Sequence, residues 1–134
     1  MANGTAARLL GARAVAIDAR PTLQTVIAVA AGLAAGVAVV PVPPDAGPVE
    51  RSHPFRGSGA EAVAGAADWP DVALARIELA TDGSLLAEPA DDVAALIVYT
   101  SGTTGSPKGV VLSRRAVAAG LDGLASAWQW TADD

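Results

Sequence analysis

Hydrophobic positions recur at regular spacing in three stretches of the chain, and these predict most of its elements. Residues 13–18, Arg-Ala-Val-Ala-Ile-Asp, form a short apolar run closed by charge, which predicts a strand. Beyond Pro21, residues Leu23, Val26, Ile27, Ala30, Leu33 and Ala34 recur at helical spacing. The opposite face of that helix is alanine-rich, so it can lie close against a sheet. Pro21 suits a first helical turn, where its missing N–H has no partner to lose, and Gly36 is placed to end the helix. Residues 37–42, Val-Ala-Val-Val-Pro-Val, are continuously apolar, as in a strand covered on both faces. Strand, helix and strand in this order predict one right-handed βαβ unit with parallel strands.

The flanking segments extend the pattern. Residues 6–10 read as the last turn of a helix, and the Pro/Gly-rich residues 43–48 as a loop. Residues 49–71 mix a short helix with glycine breaks. Pro54 argues against a long helix there and leaves His53 in a loop. Residues 75–80 suggest a strand and residues 81–86 a turn. Asp91 and Asp92 read as a solvated lead-in to the apolar run Val93–Tyr99, a buried strand. Residues 109–113 are a short extended piece, after which Ser113 can cap a helix starting at Arg114. Val117, Leu121, Leu124, Ala125 and Trp128 share one face of that helix, Trp128 as a core anchor, while Arg114 and Arg115 form a solvated first turn. The class that results is α/β, a partial parallel sheet with covering helices.

Composition narrows the function. The chain has 134 residues, the size of one domain, but much of its hydrophobic half is alanine and only five residues are aromatic, so the core is thin. A net charge of −5 argues against nucleic-acid partners. The absence of cysteine excludes a thiol nucleophile, and a single histidine excludes a His-rich metal site. Residues 21–44 carry no charge, and Gly32 and Gly36 have the spacing of packed membrane helices. A helix ended by Gly36 and followed by a β-rich run accounts for the same residues without a membrane, so a small membrane protein is the weaker alternative.

The chemistry concentrates in residues 99–110, Tyr-Thr-Ser-Gly-Thr-Thr-Gly-Ser-Pro-Lys-Gly-Val. Gly102, Gly105 and Gly109 let backbone approach a ligand closely. Successive N–H groups and hydroxyls favour an anion, and Lys108, the only lysine of the chain, adds a point charge. The spacing is neither that of a Walker loop, since glycine follows the lysine, nor Gly-x-Gly-x-x-Gly. A flexible linker has similar composition, but a linker has no reason to follow a buried strand so directly.

Residues 97–113, Ile-Val-Tyr-Thr-Ser-Gly-Thr-Thr-Gly-Ser-Pro-Lys-Gly-Val-Val-Leu-Ser, resemble the signature loop of the adenylate-forming (AMP-binding) superfamily. Residues 15–45 are similar to that family's early strand–helix–strand, and residues 113–134 look most like acyl-CoA synthetases of the malonyl-CoA synthetase-like branch. At Arg114 much of the superfamily has histidine. The resemblance implies the early part of a large N-terminal domain over residues 1–134, with the C-terminal domain and a complete catalytic set absent. It implies an enzyme that joins a carboxylic acid to ATP and passes the acyl group to coenzyme A. Thr100, Ser101, Gly102, Thr103, Thr104, Gly105, Lys108 and Gly109 would hold the ATP phosphates, with Mg2+ sharing that work and no metal site of the chain's own. It further implies a cytoplasmic protein whose partners are small molecules. Such a piece is expected to be inactive alone and to leave sheet edges open. A non-catalytic remnant that binds nucleotide or a partner is the alternative.

Overall fold

Six strands and four helices follow one another along the residues that the computed structural model describes, 2–64, 69–78, 87–100 and 107–131. Helix α1 (Ala2–Leu9) leads into β1 (Ala14–Asp18), then α2 (Leu23–Ala35), β2 (Ala38–Val42), α3 (Pro48–Ser58) and β3 (Ala62–Ala64). Strands β4 (Ala75–Ile77), β5 (Ala94–Thr100) and β6 (Lys108–Ser113) precede α4 (Arg114–Trp128). The strands form one sheet in the order β4-β3-β1-β2-β5-β6. All neighbours are parallel except β5 and β6, which pair antiparallel. The expected α/β class is therefore the observed one, and the β1-α2-β2 unit is its centre.

Local chemistry sets the element ends. Thr22 is the N-cap of α2, its hydroxyl accepting from the Thr25 N–H at 3.3 Å. Pro21 thus stands one residue before the cap instead of inside the first turn, because the threonine satisfies an orphan N–H that proline cannot. Gly36 closes α2 at φ 68°, a left-handed conformation that glycine adopts without a Cβ penalty. The helix needs a second glycine for packing. A Cβ on Gly32 would overlap the Val39 Cγ2 methyl, so α2 rests directly on β2. At 13 residues and followed by a strand, α2 is not a membrane span, and none of the described helices is long and apolar enough to cross a membrane.

Alternation along the strands builds two cores. Val15, Ile17, Val37 and Val39 face α1 and α2, meeting Ala6, Leu9, Ala28 and Ala31. Ala14, Ala16, Val40, Val42, Val63 and Ile97 face the other way, with Phe55, Tyr99 and the buried Trp69. Phe55 and Trp69 meet edge to face at 5.5 Å.

Two expectations fail here. Residues 48–58 form a continuous helix despite Pro54, so His53 is helical. Pro48 lies at the first turn, where it costs nothing. Glu50 accepts the Gly47 N–H at 2.9 Å to secure the start, and Pro54 is buried. The bond that Pro54 cannot make is one loss set against that cap and burial. Second, Trp128 is not a core anchor. It is 62% exposed and pairs edge to face with Trp130 at 5.2 Å. Leu121 and Leu124 on the same helix are also exposed, while Val117 and Ala125 are half-buried.

Candidate functional site

Parallel pairing brings the C-terminal ends of β1, β2 and β5 to one edge of the sheet, the edge where α/β folds hold ligands. Thr100 ends β5 at that edge and Lys108 begins β6 opposite it. The two are register partners, with Tyr99 opposite Gly109 and Val98 opposite Val110. The glycine- and hydroxyl-rich stretch is therefore the connection of an antiparallel hairpin. Thr100, Lys108 and Gly109 are held in its paired ends and are exposed. Ser101, Gly102, Thr103, Thr104 and Gly105 lie outside the described residues.

The hairpin is fixed from its far end. Ser113 accepts the Ala116 N–H at 3.2 Å and caps α4 as expected. The Arg114 and Arg115 N–H groups donate to the Val93 and Asp91 carbonyls at 3.0 and 2.9 Å. Arg114 is not the solvated residue that the sequence suggested. Its Nη1 donates to the Leu33 carbonyl in the last turn of α2 at 2.7 Å, and its Nη2 reaches Glu88 at 3.3 Å. A cation at a helix C-terminus is favourably placed. Asp91 and Asp92 are exposed, as expected of a solvated lead-in.

Beside the loop lies a cavity of about 330 Å³, lined among others by Asp45, Glu50, Pro54, Tyr99, Thr100 and Pro107. Tyr99 is half-buried there, and burial pushes its phenol above the ordinary value near 10. The tyrosine ring lies against two glycines. A Cβ on Gly109 would come 3.0 Å from Cζ, and a Cβ on Gly57 would overlap the hydroxyl. Further along the edge Asp18 is buried, its Oδ2 accepting from Arg20 Nε at 2.7 Å while Oδ1 has no partner. Sequence reading treated Asp18 only as a strand end and Gly57 only as a helix breaker. No pattern signalled either environment, because both depend on which elements the topology stacks together. Among the described residues, no three His, Asp or Glu side chains group as metal ligands.

An exposed ammonium, Lys108, and a strand-end hydroxyl, Thr100, stand opposite each other at the paired ends of one hairpin, groups of the kind that can meet an anion.

Known proteins resemble this chain in sequence and in fold. The family described as "AMP-binding enzyme" matches residues 2–134. A mitochondrial malonate–CoA ligase of Homo sapiens is 52% identical over 40 residues, 30% of this chain and 7% of that protein. Pyochelin synthetase PchF of Pseudomonas aeruginosa is 39% identical over 115 residues, 78% of this chain and 6% of that one. A solved malonyl-CoA ligase, in a ternary product complex with methylmalonyl-CoA and AMP, superposes with a TM-score of 0.88 at 42% identity. It covers 99% of this chain and 30% of the solved one. The chain thus spans under a third of the length of each of these relatives.

Proposed function

The chain belongs to the AMP-binding enzyme family, and from that premise we propose that it is the phosphate-holding part of an N-terminal domain in an ATP-dependent acid–thiol ligase. The observation that carries the proposal is the hairpin register. It sets Thr100 and Lys108 opposite each other where β5 and β6 meet the loop, at the end of the sheet where β1, β2 and β5 finish. In the reaction, a carboxylate oxygen attacks the α-phosphorus of ATP, the bond to the bridging oxygen breaks, and pyrophosphate leaves with the electron pair. Coenzyme A sulfur then displaces AMP from the acyl carbon.

The contribution of this chain is electrostatic. Thr100, Ser101, Gly102, Thr103, Thr104, Gly105 and Gly109 offer hydroxyl and amide donors, and Lys108 a positive charge, to the β- and γ-phosphates. These donors stabilise the charge that develops on the leaving pyrophosphate. The donor set fits phosphate oxygens and offers a metal ion little. Magnesium accompanying ATP would neutralise part of the same charge. The similarity to malonate–CoA and malonyl-CoA ligases supports a small dicarboxylic acid as the acyl substrate.

A second reading rests on α4, whose exposed Leu121, Leu124 and Trp128 leave an apolar face uncovered among the described residues. In that reading the 134 residues bind nucleotide or a partner without catalysis, the partner on this face. Thermal melts of the 134-residue protein with and without Mg-ATP, beside Lys108→Ala, test the phosphate site. A ligand that binds only the folded chain raises the melting temperature. A rise in the wild type that Lys108→Ala abolishes is expected. No rise, or an equal rise in both, sinks the proposal. Release of pyrophosphate on adding malonate separates turnover from binding alone.

A further inference from the structure

The ring of Tyr99 is a wedge between a helix and the strand that carries the lysine. Tyr99 stands on β5 directly across from Gly109 on β6, and its side chain turns to the face that packs on α3. An added Cβ at Gly109 would lie 3.0 Å from Cζ, 3.2 Å from Oη and 3.2 Å from the Ile97 Cγ2 methyl. An added Cβ at Gly57 would overlap Oη and lie 3.2 Å from Cζ. The ring therefore fills the space that two glycines leave, one on the helix and one on the strand. An aromatic residue covering a cross-strand glycine is a known way to pin register.

The helix behind the wedge is itself held. Arg51 of α3 donates through Nη1 to the Ala46 carbonyl at 2.6 Å, pairs through Nη2 with Asp71, and lies over the Trp69 ring at 5.8 Å. The Arg51 side chain is mostly buried, so this anchorage is more than a surface ion pair. A ring backed by a fixed helix sets the height of Gly109, and Gly109 is covalently joined to Lys108. Close-packed contacts of this kind pass a displacement on instead of absorbing it.

We infer that Tyr99 is a positioning residue: it transmits the position of α3 to Lys108 and so sets where the hairpin presents its charge. As a claim about phosphate binding this rests on the function proposed above, but the steric coupling stands apart from it. Glycine-to-alanine exchange in a helix ordinarily raises helix propensity. The coupling predicts the opposite sign at Gly57.

The test uses the 134-residue protein and four variants: Gly57→Ala, Tyr99→Phe, Tyr99→Ala and the double variant Gly57→Ala/Tyr99→Phe. Because Lys108 is the only lysine, a lysine-specific endoprotease cuts at one place, and its rate reports opening of the hairpin end. Gly57→Ala is expected to raise that rate about tenfold while circular dichroism stays native, and Tyr99→Ala to raise it likewise. Tyr99→Phe, which keeps the ring, is expected to cut at the wild-type rate. Removing the hydroxyl in the double variant should bring the rate back to within about twofold of wild type, a coupling of the kind a double-mutant cycle isolates. The Mg-ATP melting shift should be lost and recovered in the same order. Unchanged cleavage in Gly57→Ala, or no rescue in the double variant, overturns the inference; should Gly57→Ala not fold, unchanged cleavage in Tyr99→Ala does so. Wild-type protein whose melt ignores Mg-ATP while the cleavage pattern holds would remove the phosphate reading and leave the wedge intact.

Discussion

Replacing Arg114 by methionine keeps most of the side-chain volume and removes its guanidinium. Two interactions go with it. The Nη1 bond to the Leu33 carbonyl is 2.7 Å long, and the arginine side chain is 21% exposed, so this is a largely desolvated, charge-assisted bond. Bonds of that kind contribute about 1.5–3 kcal/mol. The pair with Glu88 spans 3.3 Å, but Glu88 is 85% exposed, and solvent screening holds it to ~0.5 kcal/mol or less. Arg114 Nε is buried without a partner, a standing cost that methionine relieves and that lowers the net loss. The expected destabilisation is about 1.5–2 kcal/mol, a fall in melting temperature of roughly 5–10 °C for a chain of this size. Urea titrations of wild type, Arg114→Met and Glu88→Gln separate the two interactions. Glu88→Gln should lie within about 0.5 kcal/mol of wild type. A loss below that in Arg114→Met, or equal losses in both variants, would refute the claim that Arg114 secures the end of α2.

Three further outcomes are expected. Gly36→Ala places a Cβ at φ 68° and 2.9 Å from the Pro89 Cβ, so it should cost at least about 1–2 kcal/mol in the same titration. Gly32→Ala forces α2 off β2 through the Val39 methyl and should lower stability by about 1–3 kcal/mol, although alanine is the better helix former. Tyr99 is the only tyrosine, so ultraviolet titration of the folded chain should read a single phenol ionising above 10, shifted by burial. The folded chain then holds the proton more tightly than the unfolded one. That stabilisation is complete below pH ~10 and fades as pH rises through the folded value. Tyr99→Phe should remove this alkaline loss, and a normal ionisation in the folded wild type would contradict the burial.

The central βαβ unit was legible because its signals are local. Apolar runs of strand length, a helical repeat and a glycine stop need no tertiary information, and β1, α2, β2 and β5 follow them closely in extent, although β5 buries only Ala95 and Ile97 instead of its whole length. Strand β3 was not legible. Ala-Val-Ala has little β preference, and it is a strand because β1 and β4 pair with it on both sides. Helix α3 was misjudged because one internal proline was weighed without its N-terminal cap and without the burial that sequence does not display. At the site, the motif marked the hairpin ends Thr100, Lys108 and Gly109. The roles of Gly57 and Arg114 depend on contacts with elements far away in sequence, and spacing carries no trace of them.

The order of strands has a consequence for how the molecule assembles. β2 and β5 are sheet neighbours, yet about fifty residues separate them, and those residues build β3 and β4 on the far side of β1. Closing so long a connection carries a length-dependent entropy of ~3.5 kcal/mol, which must be met before the β2–β5 ladder returns anything. The β5–β6 hairpin is short-range and can form by itself, on the microsecond scale of hairpins. Formation of the long-range β2–β5 ladder is then expected to be slower than formation of the hairpin. Shortening the connection should speed folding more than it changes the final stability.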